Sequence, residues 1–466
     1  MAIYTKLMDH QKLITKFIAD LPYFGIFAEY GTGKTLCALA YINYHQIRKT
    51  LVISTKTAIQ STWPDEIKEH TDFQYTILVG GKKHKRNQLS LGLSKSHIDA
   101  GYYHSSKTHP VIFLVNFDGI KNIFNELAAA NFDLILIDES TKIKSHKTER
   151  TKAIWKLGES AEARGIMTGF PVTENIADIY SQVKFLDCGE TFGNSYYGFL
   201  DKYFVKMGKM RLPKKKGAVE LLNKIKPFCI RVSGDVLKLP PKIYKPIHVP
   251  QTRQQRELLA QLNDYFMLEF GRVKIDTEYI FTLINKSLQI CDGFIKDADG
   301  NVEIVNTNKD DALVELIDEI DLSKNKLIVW CAYRFSIRKL SKLLKAYRPL
   351  TLTGDTEDAS KVVKQFQHGK YPLLLAIQKK ASESITLTNC NHAVYYSNTW
   401  SADLRGNSEA RIYRKGSEKH KSVIYTDLIV KDSVEQKVID CLRKKKNLVN
   451  ELKQTFGGIT AGGRKK

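Results

Sequence analysis

The chain has 466 residues, of which 43% are hydrophobic, and its basic residues outnumber its acidic ones to give a formal net charge of +22. This length is too great for one ordinary core, so we expect two or more domains. No stretch contains the roughly 18 apolar residues that a membrane span needs, and the first residues lack the apolar core of a secretory signal. We therefore expect a cytoplasmic protein without a membrane partner.

Charge and cysteine content narrow the class of protein further. The positive charge favours a polyanionic partner such as nucleic acid, although a merely soluble basic protein would have the same composition. The seven cysteines are scattered and include no C-x-x-C pair. Such a set predicts reduced thiols rather than disulfides or a zinc site.

The segment 7–11, which ends in Gln11, is predicted to lead into an amphipathic helix that extends through Ile18. Gln11 precedes a glycine-rich loop, and its amide offers both a donor and an acceptor to the edge of an adenine ring. An isolated glutamine is more often a surface residue, so this interpretation depends on the rest of the pattern.

The stretch on which the other predictions depend is 28–35, which has the pattern A-x-x-G-x-G-K-T between a short apolar strand and a buried helix. Its glycines permit a tight turn whose N–H groups cradle phosphate oxygens at the positive end of a helix dipole. Lys34 is predicted to reach the β- and γ-phosphates, and the Thr35 hydroxyl to hold Mg²⁺. The predicted nucleotide contacts are Glu29, Tyr30, Gly31, Thr32, Gly33, Lys34 and Thr35.

Short apolar segments alternate with helical stretches after this loop. Strands are predicted at 50–55, 73–79 and 111–115, and a helix is predicted to start at Trp63. Residues 80–86 are predicted to form a basic turn, followed by a loop or short helix through His109. The alternation from about residue 24 to residue 170 predicts a doubly wound parallel sheet.

A second part of the candidate site is the segment 134–139, in which four apolar residues are followed by Asp138 and Glu139. Parallel sheets place their ligands at the carboxyl ends of buried strands. Asp138 is predicted to hold Mg²⁺, and Glu139 to orient or deprotonate the attacking water. Together with the phosphate-binding loop, this pair indicates a nucleoside triphosphatase.

The composition changes after Leu186, and a second α/β pattern without a phosphate-binding loop begins near Asp311. Arg411 and Arg414 lie where a helix is predicted to begin. The predicted organisation is a first lobe (1–186), a helical insertion and linker (187–310), a second lobe (311–452) and a flexible basic tail (453–466).

The segment 206–216 carries six basic side chains and no acidic one, directly after an aromatic cluster at 196–204. One interpretation is a solvated basic loop over a small helical core built from those aromatic residues. The other is a protrusion that binds DNA. The basic residues in question are Lys206, Lys209, Arg211, Lys214, Lys215 and Lys216.

In this order, the patterns resemble the superfamily-two helicases and translocases, and within them the Swi/Snf-like branch. Seven motifs match over roughly residues 5–445. They are the adenine-reading glutamine (Gln11), the phosphate-binding loop (28–35), the acidic box (138–141), the T-G-x-P segment (168–171), the inter-lobe linker (228–242), the glutamine of the following helix (Gln255) and the arginine pair (Arg411 and Arg414).

The resemblance implies an α/β fold of two RecA-like parallel-sheet lobes with a helical, basic insertion between them, and ATP and Mg²⁺ held between the lobes. It implies that Arg411 and Arg414 act as arginine fingers on the γ-phosphate. It also implies that the partner is duplex, forked or four-way DNA, with RNA less favoured. Small divergent chains of this kind resemble phage branch-migration helicases, which would act in the host cytoplasm.

Three positions depart from the family pattern. Thr141 replaces the histidine of the acidic box, Asn407 replaces the glutamine of the arginine motif, and 381–387 replaces a glycine-rich motif. We expect ATP chemistry to survive these changes, while the coupling to DNA stays open. Three functions therefore remain: a helicase on forked or branched DNA, a duplex translocase that leaves the strands paired, and a non-motor ATP-gated DNA clamp.

Overall fold

The computed structural model describes residues 3–98, 110–169, 171–172, 176–207, 210–214, 217–270, 277–297, 299–382 and 385–442. These residues form two compact units, one ending at Lys238 and the other beginning at Leu239. Two prolines follow Leu239, and because proline interrupts regular hydrogen bonding they suit a boundary between units. Each unit contains its own parallel sheet.

The first unit is built on a seven-stranded parallel sheet with strand order β3-β4-β2-β5-β6-β1-β9. Two further strands, β7 and β8, form a separate antiparallel hairpin. The strands are β1 (Tyr23–Ala28), β2 (Lys49–Ser54), β3 (Gln74–Leu78), β4 (Val111–Asn116), β5 (Leu134–Asp138), β6 (Ala163–Thr168), β7 (Phe204–Met207), β8 (Met210–Pro213) and β9 (Cys229–Val232).

Helices cover both faces of this sheet. The helices are α1 (Asp9–Ile18), α2 (Lys34–Tyr44), α3 (Trp63–His70), α4 (Lys82–Ile98), α5 (Phe124–Ala129), α6 (Glu149–Glu159), α7 (Ile179–Asp187), α8 (Tyr196–Tyr203) and α9 (Gly217–Ile225). Alternate residues of β5 enter two cores: Ile135 and Ile137 pack in one, and Leu134 and Leu136 in the other. An unbroken apolar strand is therefore what a sheet covered on both faces requires.

The second unit contains a six-stranded parallel sheet with strand order β10-β17-β16-β13-β15-β14. Its strands are β10 (Lys242–Val249), β13 (Leu327–Cys331), β14 (Leu350–Leu352), β15 (Leu373–Ile377), β16 (His392–Tyr395) and β17 (Val423–Val430), with a hairpin of β11 (Phe294–Lys296) and β12 (Val302–Ile304). Its helices are α10 (Arg253–Phe270), α11 (Thr277–Cys291), α12 (Lys309–Glu319), α13 (Arg334–Leu343), α14 (Ala359–His368) and α15 (Ala402–Ile412), followed by a helical stretch at 434–442.

The fold class predicted from the sequence, two parallel-sheet α/β lobes, is confirmed. The predicted basic turn at 80–86 is wrong, because α4 begins at Lys82. The helix was hidden in the sequence because Lys85 occupies its buried face together with Leu89, which interrupts the apolar spacing. The predicted helix start at Arg411 is also wrong, because Arg411 lies in the last turn of α15. That helix begins at an earlier cap, where the Ser401 hydroxyl accepts from the Leu404 N–H at 3.2 Å.

The aromatic residues at 196–204 do not build a small core of their own. Phe199, Tyr203 and Phe204 are buried in the same core as β5 of the first sheet, and the Phe199 ring lies 5.0 Å from that of Tyr180 on α7. The basic segment that follows contains the β7–β8 hairpin rather than an irregular loop. The part of the predicted insertion that contains α8 and the β7–β8 hairpin therefore belongs to the first unit.

Candidate nucleotide site

The loop between β1 and α2 has the backbone that the sequence pattern predicts. Gly31 and Gly33 have positive φ angles of 78° and 77°, and Gly33 caps the N-terminus of α2. A Cβ atom on Gly33 would overlap the amide nitrogen of Gln11, so no larger residue fits without a shift. The loop is thus a glycine-dependent turn at the N-terminus of a helix, which is the geometry of an anion cradle.

Contacts within the loop hold its shape. The Lys34 ammonium donates to the Ala28 carbonyl at 2.7 Å, and the hydroxyl of the buried Thr32 donates to the Glu29 carbonyl at 2.6 Å. The Lys34 nitrogen also lies 5.4 Å from the centre of the Tyr30 ring. The ammonium group is therefore next to the loop backbone that would receive the phosphates.

Gln11 lies directly beneath this loop and is only 2% exposed. Its amide nitrogen donates to the Thr32 carbonyl at 3.2 Å, and its amide oxygen accepts from the Met8 N–H at 2.9 Å. A ring nitrogen of His10 lies 2.9 Å from the same Thr32 carbonyl. The structure therefore connects Gln11 to the loop, while its contact with adenine stays a prediction.

Asp138 ends β5, and two neutral donors hold one of its carboxylate oxygens. The Ser54 hydroxyl donates to Asp138 Oδ2 at 2.9 Å, and the Trp63 indole N–H donates to the same oxygen at 3.1 Å. Sequence reasoning assigned no role to these donors. Ser54 reaches Asp138 because β2 pairs with β5. In that pairing Ile53 lies opposite Ile137, and the next residues along the two strands are Ser54 and Asp138.

Glu139 has a backbone conformation that is rare for a residue with a side chain. Its φ and ψ angles are 59° and 54°, in the left-handed region. Such a conformation costs about 1–3 kcal/mol and occurs preferentially at functional sites. Glu139 is followed at once by a short 3₁₀ turn, Ser140–Ile143, which begins the chain's departure from the sheet.

Strand order brings the loop and the carboxylates to one edge of the first sheet. β5 and β1 both pair in parallel with β6, so all three carboxyl ends point the same way. These ends carry the phosphate-loop residues after Ala28 and the carboxylates Asp138 and Glu139. The residues fit a nucleotide with a divalent cation, because the glycine cradle accepts phosphate and hydroxyl and carboxylate oxygens are the ligands Mg²⁺ prefers.

The two predicted arginine fingers lie in the second unit, at the end of α15. Arg411 is 6% exposed, and its guanidinium donates to the Ile385 carbonyl at 3.3 Å. Arg414 lies two residues beyond the helix and donates to the Thr386 hydroxyl at 3.1 Å. Both arginines thus contact the segment that replaces the family's glycine-rich motif.

A buried ion cluster joins α15 to β17. The Arg405 guanidinium donates to both Asp427 oxygens, at 2.5 and 3.1 Å, and to Glu409 at 2.9 Å. The guanidinium carbon also lies 3.5 Å from the centre of the Tyr395 ring. Burial lowers the pKa of Arg405, but the attraction of Asp427 and Glu409 outweighs it and the net pKa is raised. The Arg405 guanidinium therefore stays protonated.

Of the six basic residues proposed to bind DNA, the structure describes Lys206, Arg211 and Lys214. Lys206 is exposed on β7, and Arg211, opposite it on β8, forms a 2.7 Å ion pair with Asp201. The Lys214 ammonium donates to the carbonyls of Asp201 and Lys202 at the end of α8, at 3.0 and 2.7 Å. The remaining three, Lys209, Lys215 and Lys216, lie outside the described residues.

Three observations concern the rest of the molecule. The seven cysteines form no disulfide with one another. Within the described parts of the chain, no group of three or more His, Cys, Asp or Glu side chains is arranged to hold a metal ion. No helix in those parts has the length and apolarity needed to cross a bilayer.

Comparison with known proteins decides the family. A family model described as the SNF2-related domain matches residues 12–293, and the helicase conserved C-terminal domain matches residues 308–416. The chain belongs to the SNF2-related family. It is an ATP-hydrolysing enzyme of the helicase and translocase type, so the predicted family and enzyme class are confirmed.

The SNF2-related chain is similar to proteins of phage, bacteria and eukaryotes. It is 26% identical to protein p41 of Acyrthosiphon pisum secondary endosymbiont phage 1, over 95% of this chain and 96% of that protein. It is 23% identical to YwqA of Bacillus subtilis (strain 168), over 92% of this chain but 46% of YwqA. It also aligns with the solved Sulfolobus solfataricus SWI2/SNF2 ATPase core in complex with dsDNA, at 19% identity and a TM-score of 0.44, over 97% of this chain and 93% of that one.

Proposed function

We propose that this SNF2-related chain is an ATP-driven motor that moves along DNA and acts on forked or branched DNA. The observation that carries the proposal is the convergence of the phosphate-binding loop and two carboxylates at one edge of the first sheet. The name of YwqA, an ATP-dependent helicase/translocase, is consistent with a motor. The net charge of +22 is consistent with a polyanionic track.

The phosphate-binding loop (28–35) binds ATP. The phosphates are bound by the N–H groups around Gly31 and Gly33 and by the Lys34 ammonium, which gives up its hydrogen bond to the Ala28 carbonyl. Thr35 and Asp138 would hold a magnesium ion, which would neutralise charge on the phosphates. Glu29, Tyr30 and Thr32 complete the loop, and Gln11 reads the adenine edge.

Glu139 acts on the attacking water. A carboxylate that follows the metal-binding aspartate is placed to orient the water and accept its proton. Ser54 and Trp63 leave one oxygen of Asp138 for the metal because both donate to the other oxygen. The left-handed backbone of Glu139 fixes the direction in which its side chain leaves the strand.

Arg411 and Arg414 supply positive charge for the transition state. Arg414 is the better candidate for the γ-phosphate because it lies two residues beyond the end of α15. Arg411 is buried and bonded to a backbone carbonyl, which favours a bracing role on the segment at 385–386. Removal of a true finger costs about 10³–10⁵ in turnover.

DNA binding falls to the basic insertion. Lys206 and Arg211 lie on the same face of the β7–β8 hairpin because they are directly opposite in its register. Phosphate contacts from such side chains grip the backbone without reading its sequence. Lys209, Lys215 and Lys216 extend the same basic segment in sequence, and Lys214 adds charge next to the end of α8.

The test compares ATP turnover and strand separation on single-stranded, duplex, forked and four-way DNA, with Glu139→Gln as the inactive reference. A helicase for branched DNA should show the highest turnover and strand separation on forked and four-way substrates. Turnover on duplex with third-strand displacement but no strand separation would identify a duplex translocase instead. ATP-dependent DNA binding without DNA-stimulated turnover would identify a clamp and overturn the proposal.

A further inference from the structure

Ser140, the residue after Glu139, is anchored to a glutamine on α7. The Ser140 hydroxyl, on a residue that is 0% exposed, donates to the Gln182 amide oxygen at 2.7 Å. The Gln182 amide nitrogen donates to the carbonyls of Pro171 and Asp178, at 2.6 and 3.0 Å. Every hydrogen-bonding position of this buried amide is therefore used, apart from the second lone pair of its oxygen.

These bonds join the two chain segments that leave neighbouring strands at the candidate site. β5 and β6 are paired so that Asp138 lies opposite Met167. Ser140 follows the end of β5, and Pro171 follows the end of β6. Gln182 bridges these two exits and so fixes the distance between the acidic box and the segment at 168–171.

Glu139 is held from both sides as a result. On one side Asp138 accepts hydrogen bonds from Ser54 and Trp63, and on the other Ser140 is tied to Gln182. A left-handed backbone is disfavoured for a residue with a Cβ, so bonds on both sides of Glu139 help to maintain this conformation. The Ser54 bond reaches the end of β2, whereas the Gln182 amide reaches the chain segment that follows β6.

We propose that Gln182 is a positioning residue for ATP hydrolysis: through Ser140 and Pro171 it sets the orientation of Glu139 toward the attacking water. This inference rests on the proposed role of Glu139. If Gln182 only filled space, an apolar side chain of similar volume would serve as well, because volume-conserving changes in a core are tolerated. If it positions Glu139, loss of its polar atoms lowers turnover even where the core stays packed.

The test variant is Gln182→Met, which keeps the volume and removes the amide. We expect kcat for ATP to fall about 10- to 100-fold, the effect of a small misplacement of a catalytic group, while KM for ATP changes less than about twofold. Gln255→Met is the matched control. Gln255 is also 0% exposed, and its amide donates to the carbonyls of Ile290 and Cys291 and accepts from the Thr252 N–H.

Stability and catalysis are separated by measuring both in each variant. Gln255→Met should lower the Tm to a similar extent and leave kcat within about twofold, because it breaks the same kind of bonds away from the box. Ser140→Ala provides a milder second variant that keeps the Pro171 bond, and it should lower kcat less than Gln182→Met. It also keeps the inference testable if Gln182→Met does not fold.

Three results would overturn the inference: unchanged kcat in Gln182→Met, a change confined to KM, or an equal fall in kcat for Gln255→Met. The proposed chemistry is checked in parallel with Glu139→Gln. If Glu139→Gln loses turnover while Gln182→Met and Ser140→Ala keep it, only the positioning role of Gln182 fails. If Glu139→Gln keeps turnover, the proposed role of Glu139 fails first.

Discussion

The two units hold their functional side chains in different ways. In the first unit, the carboxylate of Asp138 is held by two neutral donors, Ser54 and Trp63, at the end of a strand. In the second unit, α15, whose last turn contains Arg411, is held by a buried cluster of charges around Arg405. Neutral donors leave the negative charge of a carboxylate available for a metal ion, whereas the charges around Arg405 are already paired and serve as scaffold.

The difference predicts opposite consequences of mutation. Changes at the edge of the first sheet should remove chemistry with little effect on folding, because the residues there are on loops and strand ends. Changes in the ion cluster around Arg405 should mainly lower the free energy of unfolding, because breaking a buried ion pair leaves a charge without compensation. Substitutions in each unit therefore test this difference.

The largest effect is expected from Lys34→Ala, which should abolish ATP hydrolysis and leave DNA affinity largely intact. The reason is that the ammonium group belongs to the phosphate cradle and not to the basic hairpin that we propose for DNA. Turnover and DNA affinity are measured in parallel. Lys152→Ala on α6, an exposed lysine with 52% of its side chain accessible, serves as control and should keep both. Near-normal turnover in Lys34→Ala would refute the phosphate-loop assignment.

The next effect is expected from Arg414→Ala. Turnover should fall by about 10³–10⁵ while the affinity for ATP changes little, because a finger acts on charge that develops in the transition state. Equilibrium binding of an ATP analogue and steady-state turnover are compared. Arg334→Ala, at an exposed arginine of the same unit paired with Asp355, should leave turnover unchanged. Lost ATP affinity with a normal maximal rate would contradict the finger role.

Arg405→Met should lower the free energy of unfolding. Breaking a buried ion pair costs about 3–5 kcal/mol, since Asp427 and Glu409 would lose the cation that compensates them. The free energy of unfolding is measured by denaturant titration. The double variant Arg405→Met/Asp427→Leu removes both members of the bidentate pair and should recover part of that loss. A single variant as stable as the wild type would show that the cluster does not support α15.

The smallest effect on stability is expected at the hairpin. Lys206→Gln/Arg211→Gln should change the free energy of unfolding by less than about 1 kcal/mol, because the Arg211–Asp201 pair is exposed. DNA affinity should fall, and its logarithmic salt slope should flatten by about 0.9 for each phosphate that the protein no longer neutralises. Arg253→Gln, an exposed arginine with 91% of its side chain accessible, is the control. An unaltered salt slope would indicate that the hairpin is a solvated basic surface that does not contact DNA.

Lys214 is a poor choice for that experiment. Its ammonium donates to two carbonyls at the end of α8, so replacing it removes a helix-end contact as well as a charge. The sequence alone could not distinguish the two roles. A run of basic residues looks the same whether its members face DNA or cap a helix.

The two sheets and the glycine turn of the phosphate-binding loop were predictable from the sequence, because apolar strands and glycine turns are local signals. It did not reveal Ser54 or Trp63 as partners of Asp138, since they are distant in sequence and meet only through strand register. The Ser140–Gln182 bond was missed for the same reason. The helix α4 was missed because Lys85 interrupts the apolar face that would have marked it.

Third-strand displacement from duplex DNA tests the proposed motor function most directly. It is measured with ATP for the wild type and for Glu139→Gln. The proposal of an ATP-driven motor predicts displacement by the wild type that requires ATP hydrolysis, accompanied by DNA-stimulated turnover, and none by Glu139→Gln. Wild-type protein that binds ATP and DNA but displaces no strand, with turnover unaffected by DNA, would contradict it.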